Sequence, residues 1–377
     1  MTRRICYITG TRADFGLMRS TLEALAAHPS LALELVVTGM HLDPAHGDTI
    51  REVRASGLRV AAEVPVALHP ATGATMARNL GRMVQAFADH LEHDPPRLVL
   101  LLGDRGEMLA GAIAAIHLNI TVAHIHGGER SGTVDEPVRH AISKLSHLHF
   151  VATEGARERL VRMGERADHV WVSGAPGLDG LEDAPRADRT VLCAGLGLRA
   201  DRPVALMVCH PVLQEAEQAG DAARIVMDAL LARGLQVVAL MPNSDAGSDA
   251  IRDALRAFFG REGVRLLAHL PRAEFIGWMA CCDVMVGNSS AGIIEAASFG
   301  TPVVNVGSRQ NLRERNANTL DAAAEPAAVA AALDASLRGG RQPARNVYGD
   351  GRAAVRIVEV LASQPLDPAL MAKVNAY

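Results

Sequence analysis

The residues with chemical potential in this 377-residue chain fall in short polar clusters, each directly after an apolar run. Gly287-Asn288-Ser289-Ser290 follows the run 283–286 and opens a helical stretch that carries Glu295. Unpaired N–H groups and the dipole at such a helix start favour an anion, and two hydroxyls can add donors. Arg309, just past the next strand, could clamp the same anion in bidentate fashion. Glu295, one turn in, suits a ribose hydroxyl, while the plainer alternative for the turn is a serine N-cap.

Gly103-Asp104-Arg105 ends the run 98–102. Asp104 reads either as an N-cap or as an acid or base over a cleft, with Arg105 lowering its pKa and reaching a phosphate. His124-Ile125-His126-Gly127-Gly128-Glu129 comes next, then Asp135-Glu136 and Arg139-His140, titratable groups around a Gly-Gly turn that lets a substrate approach the backbone. His124 and His126 share one face of a strand, so a divalent ion is geometrically conceivable; no second ligand cluster supports it, and no metal is expected. His124 fits a core role better than His126 does, and Asp135 and Glu136 can also cap the helix that Pro137 starts.

Arg12, in the stretch 9–16, could meet a pyrophosphate, although the G-x-G-x-x-G fingerprint is absent there. His210 ends the run 204–209, placed to give a proton or a hydrogen bond to a leaving phosphate. Asn243 and Asp245 suit a base or ribose edge, or simply a turn and a helix cap. The chain has no P-loop, nucleophile elbow or zinc-protease helix.

The positioning elements alternate. Strand-like runs at 4–8, 33–38, 98–102, 121–126 and 148–152 are separated by helical patterns at 17–27, 75–91, 107–117, 136–145 and 154–163. A second half repeats this with strands at 204–209, 236–241, 264–267, 283–286 and 303–306, and helices near 221–231, 249–259, 273–280 and 292–299. Such alternation predicts two doubly wound parallel α/β sheets. The boundary is expected in 174–201, where Pro176, Gly177, Gly180, Pro185 and Gly195 concentrate, and a last helix is expected at 352–362 after the loop 339–350. Nearly every polar cluster lies at the carboxyl end of a strand, which points to one cleft between two domains.

An apolar share of 49% supports full-sized cores, and the net charge of −4 without a basic run argues against nucleic-acid or anionic-membrane partners. Five cysteines without C-x-x-C spacing read as reduced thiols of a cytoplasmic protein. One short apolar strand before Gly10 predicts no signal peptide, and 108–125 divides into a helix and a strand better than it reads as a membrane span.

Taken together, Thr9-Gly10-Thr11-Arg12-Ala13-Asp14, Thr38-Gly39-Met40-His41, Gly103-Asp104-Arg105, His126-Gly127-Gly128-Glu129, Ile142-Ser143-Lys144, His210-Pro211, Gly287-Asn288-Ser289-Ser290 and Tyr348-Gly349-Asp350-Gly351 resemble the hydrolysing UDP-N-acetylglucosamine 2-epimerases of sialic and legionaminic acid pathways. The resemblance implies two Rossmann-like domains in a glycosyltransferase-B-like arrangement: 1–175 with the catalytic acids, 176–351 holding the nucleotide, and 352–377 crossing back. It implies essential carboxylates at Asp104 and Asp135, nucleotide contacts at Arg12, Arg105, Ser289, Ser290, Glu295 and Arg309, and cleft histidines at His41 and His210. His126 stands where some members carry a catalytic glutamate, so either Glu129 takes over or His126 is itself the acid/base.

The implied reaction expels UDP from UDP-N-acetylglucosamine, passes through a 2-acetamidoglucal, and adds water with inversion at C2 to give N-acetylmannosamine. A UDP- or GDP-linked 2,4-diacetamido-2,4,6-trideoxy sugar is the alternative substrate. Glycosyl transfer on the same fold and a non-catalytic nucleotide-sugar sensor are the rival readings. No cofactor is expected, and a homo-oligomer, dimer or tetramer, is.

Overall fold

Runs such as Leu98–Leu102 and Val204–Val208 are buried along their whole length, as strands of parallel sheets covered on both faces must be. The computed structural model describes residues 2–181 and 187–376. Its first sheet contains β1 (Arg3–Thr9), β2 (Leu31–Thr38), β3 (Val60–Val64), β4 (Leu98–Leu102), β5 (Thr121–Ile125), β6 (Leu148–Val151) and β7 (Val170–Val172), in the order β3-β2-β1-β4-β5-β6-β7. The second contains β8 (Val204–Val208), β9 (Gln236–Leu240), β10 (Val264–Leu267), β11 (Val284–Gly287), β12 (Val303–Val306) and β13 (Thr319–Ala322), in the order β10-β9-β8-β11-β12-β13. Neighbouring strands pair parallel throughout.

Strand order reverses between β1 and β4, and again between β8 and β11. Crevices open beyond the carboxyl ends of strands at such reversals, and ligands bind there. Arg12 and Asp104 follow β1 and β4; His210 and Ser289 follow β8 and β11. The two crevices face each other across one cleft.

β3, β7 and β13 were not expected from the sequence. Each is an edge strand, and edges lack the continuous burial that betrays a central strand: β13 is half-buried or exposed at every position. The helix Pro326–Gly339 was also missed, because its alanine-rich sequence has little apolar contrast and buries only Val329, Leu333 and Ser336. The expected helix 292–299 is instead a short α-helix, Ser290–Ile294, continued by a 3₁₀ turn at Ala296–Phe299.

The helix Ala353–Ser363 returns to the first domain. Ile357, Val358 and Leu361 join a core with Ile5, Tyr7, Leu22 and Leu25, and Asp179 accepts the N–H groups of Ala353 and Ala354 at its start. Pro185, in the expected boundary, and Tyr377, at the end of the expected last segment, lie outside the described residues. The cysteines are unbridged, and no helix among the described residues is long and apolar enough to cross a membrane.

Candidate active site

A cavity of about 510 Å³ lies between the two sheets. On the first domain's side, Thr11 caps the helix Arg12–Ala27 and Asp14 closes a capping box with it, taking the N–H groups of Gly10 and Thr11 at 3.1 and 2.8 Å. The motif's aspartate is therefore structural, and Arg12 is left to cross the cleft, where it donates to the Ala268 carbonyl and His269 Nδ1, both at 2.8 Å.

Asp104, after β4, receives a hydrogen bond from the buried Arg139. The sequence reading gave that task to Arg105, and this is corrected. Successive side chains at the turn diverge, so Arg105 reaches Glu107 at 3.4 Å and, across the cleft, Asp245 at 3.2 Å. Asp135 opens the helix Asp135–Leu145 and faces Arg309 of the second domain at 3.6 Å.

His126 sits at φ +65°, a left-handed conformation that costs a non-glycine residue energy and is held only by its surroundings. Its Nδ1 bonds to the Glu129 carboxylate, which also pairs with Arg313 of the second domain. A carboxylate only accepts, so Nδ1 carries the proton and Nε2 keeps its lone pair.

On the second domain's side, Asn288 Oδ1 accepts from His210 N at 2.7 Å, and Asn288 Nδ2 donates to His210 O at 2.8 Å. This clamp ties the ends of β8 and β11 together. The Asn243 N–H donates to His210 Nδ1 at 3.3 Å, which leaves Nε2–H as the ring's free donor. Ser289 N-caps the following helix through Ala291 N at 3.3 Å. With only Ser290–Ile294 in α-geometry the dipole is small, so an anion here depends mainly on arginines. Glu295 is buried and paired with Arg272.

The electrostatics divide the carboxylates. Burial pushes Asp104 up, but Arg139, Arg313 and Arg309 together outweigh it and hold the group at about 2. Burial pushes Asp135 up too, the Asp104 charge adds to it, and Arg309 only partly compensates, so it reaches about 6. His126 is driven down to about 3 by burial and by Arg313 and Arg139. His210 lies well below the usual histidine value through burial and the charges of Arg309, Arg12 and Arg105. Three arginines converging on one neutral imidazole mark a place built for a polyanion.

The UDP-N-acetylglucosamine 2-epimerase profile matches residues 23–362. The chain is 48% identical over 377 residues to the UDP-N,N'-diacetylbacillosamine 2-epimerase (hydrolyzing) of Legionella pneumophila, covering 100% of both chains. It is 33% identical over 362 residues to the UDP-N-acetylglucosamine 2-epimerase of Neisseria meningitidis, covering 95% of each. The chain belongs to the UDP-N-acetylglucosamine 2-epimerase family. A crystal structure of the Neisseria meningitidis UDP-GlcNAc 2-epimerase bound to UDP-GlcNAc superposes with a TM-score of 0.79 at 19% identity, covering 95% of this chain and 99% of that one.

Within this epimerase fold, Arg12, Asp104, Arg105, His126, Asp135, His210, Asn243, Asp245, Ser289, Ser290, Glu295 and Arg309 all line the cavity. Glu129, His41 and Asn288 do not line it. Glu129 is buried beneath His126. His41 is a core residue, its ring nitrogens bonded to Thr9 and Thr49 at 2.9 and 2.8 Å. His124 bonds the Gly103 carbonyl at 2.7 Å and the Ser143 hydroxyl at 3.0 Å. Arg139, Arg272 and Arg313 were not picked out as site residues. Arg139 had a signal, four positions after Asp135 and so on the same helix face, and Arg313 stands four after Arg309.

Asp43, His46 and His69 come close enough to resemble a metal site. His46, however, already bonds Asp43 through Nδ1 at 3.1 Å and accepts from Arg252 through Nε2 at 2.8 Å, so a cation would have to displace the one contact while facing the other's guanidinium.

Gly287 makes the Asn288–Ser290 turn possible. It adopts φ +134°, and a Cβ there would lie 2.1 Å from the Val208 carbonyl oxygen. Gly287→Ala is expected to lower the melting temperature and to weaken UDP binding by roughly tenfold or more, since the strain must shift either β8 or the turn. Calorimetric titration with UDP beside a thermal melt checks both; unaltered affinity would contradict this view of the turn.

Proposed function

We propose that this chain is a hydrolysing 2-epimerase that converts a UDP-linked 2-acetamido sugar into UDP and a free sugar inverted at C2. What supports the reading is the pair of carboxylates, Asp104 held low and Asp135 raised, lining the same cavity as the arginine-rich anion site.

The C1–O bond breaks and its electrons leave with the diphosphate, which Arg12, Arg105 and Arg309 neutralise while His210 Nε2–H donates a hydrogen bond. His210 is neutral and does not itself supply the proton. Asp104, fixed in its ionised form by Arg139, stabilises the positive charge that develops at C1. Asp135 takes the C2 proton, giving the C1=C2 double bond. Its raised pKa makes it a stronger base than an ordinary carboxylate, and it still ionises at neutral pH. His126, aligned by Glu129, accepts a proton from the water adding at C1 and delivers it to C2 from the opposite face, while Asp135 passes the proton it took from C2 to solvent, so one proton is released alongside UDP and both groups return to their starting forms.

Two expectations follow for solution kinetics. The kcat/KM rises with pH through about 6 as Asp135 ionises in the free enzyme, and this limb is absent from any activity that Asp135→Asn retains. His126→Gln, which puts an amide of similar reach in place of the imidazole but cannot shuttle a proton, lowers kcat by roughly 10² to 10⁴. Steady-state assays of UDP release measure both, and a His126→Gln enzyme with unaltered kcat removes His126 from the chemistry.

For the sugar, we favour UDP-N,N'-diacetylbacillosamine over UDP-N-acetylglucosamine, because the 48%-identical relative named for the former matches along the whole chain. The test is a donor panel of both compounds and the GDP counterpart of the first, with products read by mass spectrometry and NMR. Turnover confined to UDP-N-acetylglucosamine overturns the choice of sugar. Turnover confined to the GDP-linked donor overturns the choice of nucleotide.

A further inference from the structure

The cavity extends past the two carboxylates into a lobe with a different lining: Val66, Leu68, Met76, Leu80, Leu109 and Val138. Leu109 lies one turn into the helix Gly106–His117, and Val138 one turn beyond Asp135. Met76 and Leu80 come from the first turns of the helix Gly73–His93. Met76 also shares a small adjoining cavity with Asp135, Asp245 and Arg309, which places it beside the reacting centre. The lobe thus belongs to the first domain, while Ser289, Ser290 and Arg309 line the cavity from the second.

Polar groups in the lobe are nearly all engaged. The Thr72 and Thr75 hydroxyls bond each other at 3.0 Å. Asn79 Nδ2 donates to the Ala67 carbonyl at 2.7 Å, which fixes the amide's orientation and leaves Oδ1, buried, without a hydrogen-bond partner among the described residues.

In a pyranose, C4 lies across the ring from C1. With the diphosphate on C1 held where Arg12, Arg105 and Arg309 converge and C1–C2 between the carboxylates, the far side of the ring with its C4 and C6 substituents is directed toward this lobe. We infer that the lobe of Val66, Leu68, Met76, Leu80, Leu109 and Val138 selects sugars whose C4 bears an acetamido group and whose C6 is a bare methyl. The inference rests on the epimerase reading above. Both methyl groups find apolar walls, and the single free acceptor on Asn79 matches the single amide N–H. A free 4-hydroxyl and 6-hydroxymethyl would instead bring two hydroxyls to a wall whose one free acceptor can take only one of them, and a buried unpaired polar group is costly.

The test uses Met76→Gln, which preserves length but gives the wall an amide able to bond a hydroxyl, with Met76→Leu as the apolar control and Leu80→Gln as a second polar variant. The readout is the ratio of kcat/KM for UDP-N,N'-diacetylbacillosamine to that for UDP-N-acetylglucosamine, together with inhibition by UDP. The wild type is expected to favour the diacetamido sugar by roughly 10- to 100-fold. Met76→Gln and Leu80→Gln should cut that ratio about tenfold, Met76→Leu should hold it, and UDP inhibition should stay the same in all. A ratio unchanged in both glutamine variants, or a wild type that prefers free hydroxyls, overturns the lobe's role and leaves the epimerase reading standing. A wild type that binds UDP but turns over neither sugar overturns both.

Discussion

Asp135→Asn is expected to lose turnover by roughly 10² to 10⁴ while melting at a higher temperature than the wild type at pH 7.5. Burial and the neighbouring Asp104 charge raise this carboxyl to about 6, so the folded state pays to ionise it. The sign follows from proton counts. Between the ordinary carboxylate range near 4 and about 6, the folded chain binds more protons than the unfolded one, and stability is lost as pH rises through that window. An uncharged amide removes the loss. The melting temperature should rise by roughly 2 °C at pH 7.5, with the gap closing below pH ~4, where Asp135 is protonated in both states. Melts at several pH values beside UDP-release assays check the pair of effects. A lower melting temperature with a pH-independent gap would mean that Asp135 is held for structure rather than for proton transfer.

Arg139→Met should be the most destabilising substitution in the site, at about 3–5 kcal/mol. Arg139 is buried, donates to Asp104, to the Glu129 carbonyl at 2.9 Å and to the Ser131 hydroxyl at 3.3 Å, and leaves all three unsatisfied when removed. It is also the strongest charge opposing the effect of burial on Asp104, so the Asp104 pKa must climb in the variant. Adding Asp104→Asn removes the stranded charge and should recover part of the stability without recovering turnover. Urea unfolding of the two single variants and the double variant measures this coupling. A loss below about 1 kcal/mol for Arg139→Met, with strictly additive effects, would show that the pair contributes little.

The parts of this molecule legible in its sequence are those where burial is complete. Central strands such as β4 and β8 are unbroken apolar runs, and the polar residues that end them stand out by contrast. That contrast located Asp104, His210 and Ser289. Edge strands β3, β7 and β13 and the alanine-rich helix Pro326–Gly339 carry no such contrast and went unseen. Pairings across the cleft were illegible for another reason, since they depend on how two domains face each other. Arg105 was assigned to its neighbour Asp104, yet it crosses to Asp245 at 3.2 Å, and Arg313 crosses to Glu129, while Asp104 is held within its own domain by Arg139. Asn288, in the turn expected to receive an anion, is the clamp on His210, a pairing across two strand ends that the sequence does not display.

The central claim is that arginines of both domains, with His210, grip a departing diphosphate while Asp135 and His126 of the first domain remove and return the C2 hydrogen. Incubation with a UDP-2-acetamido sugar in deuterated, ¹⁸O-labelled water, without any acceptor, tests it most directly by NMR and mass spectrometry. The expected result is release of UDP with a free sugar that is inverted at C2, carries deuterium at C2 and carries ¹⁸O at C1. A free sugar with its C2 configuration and hydrogen intact, or no UDP release until an acceptor is added, would contradict it.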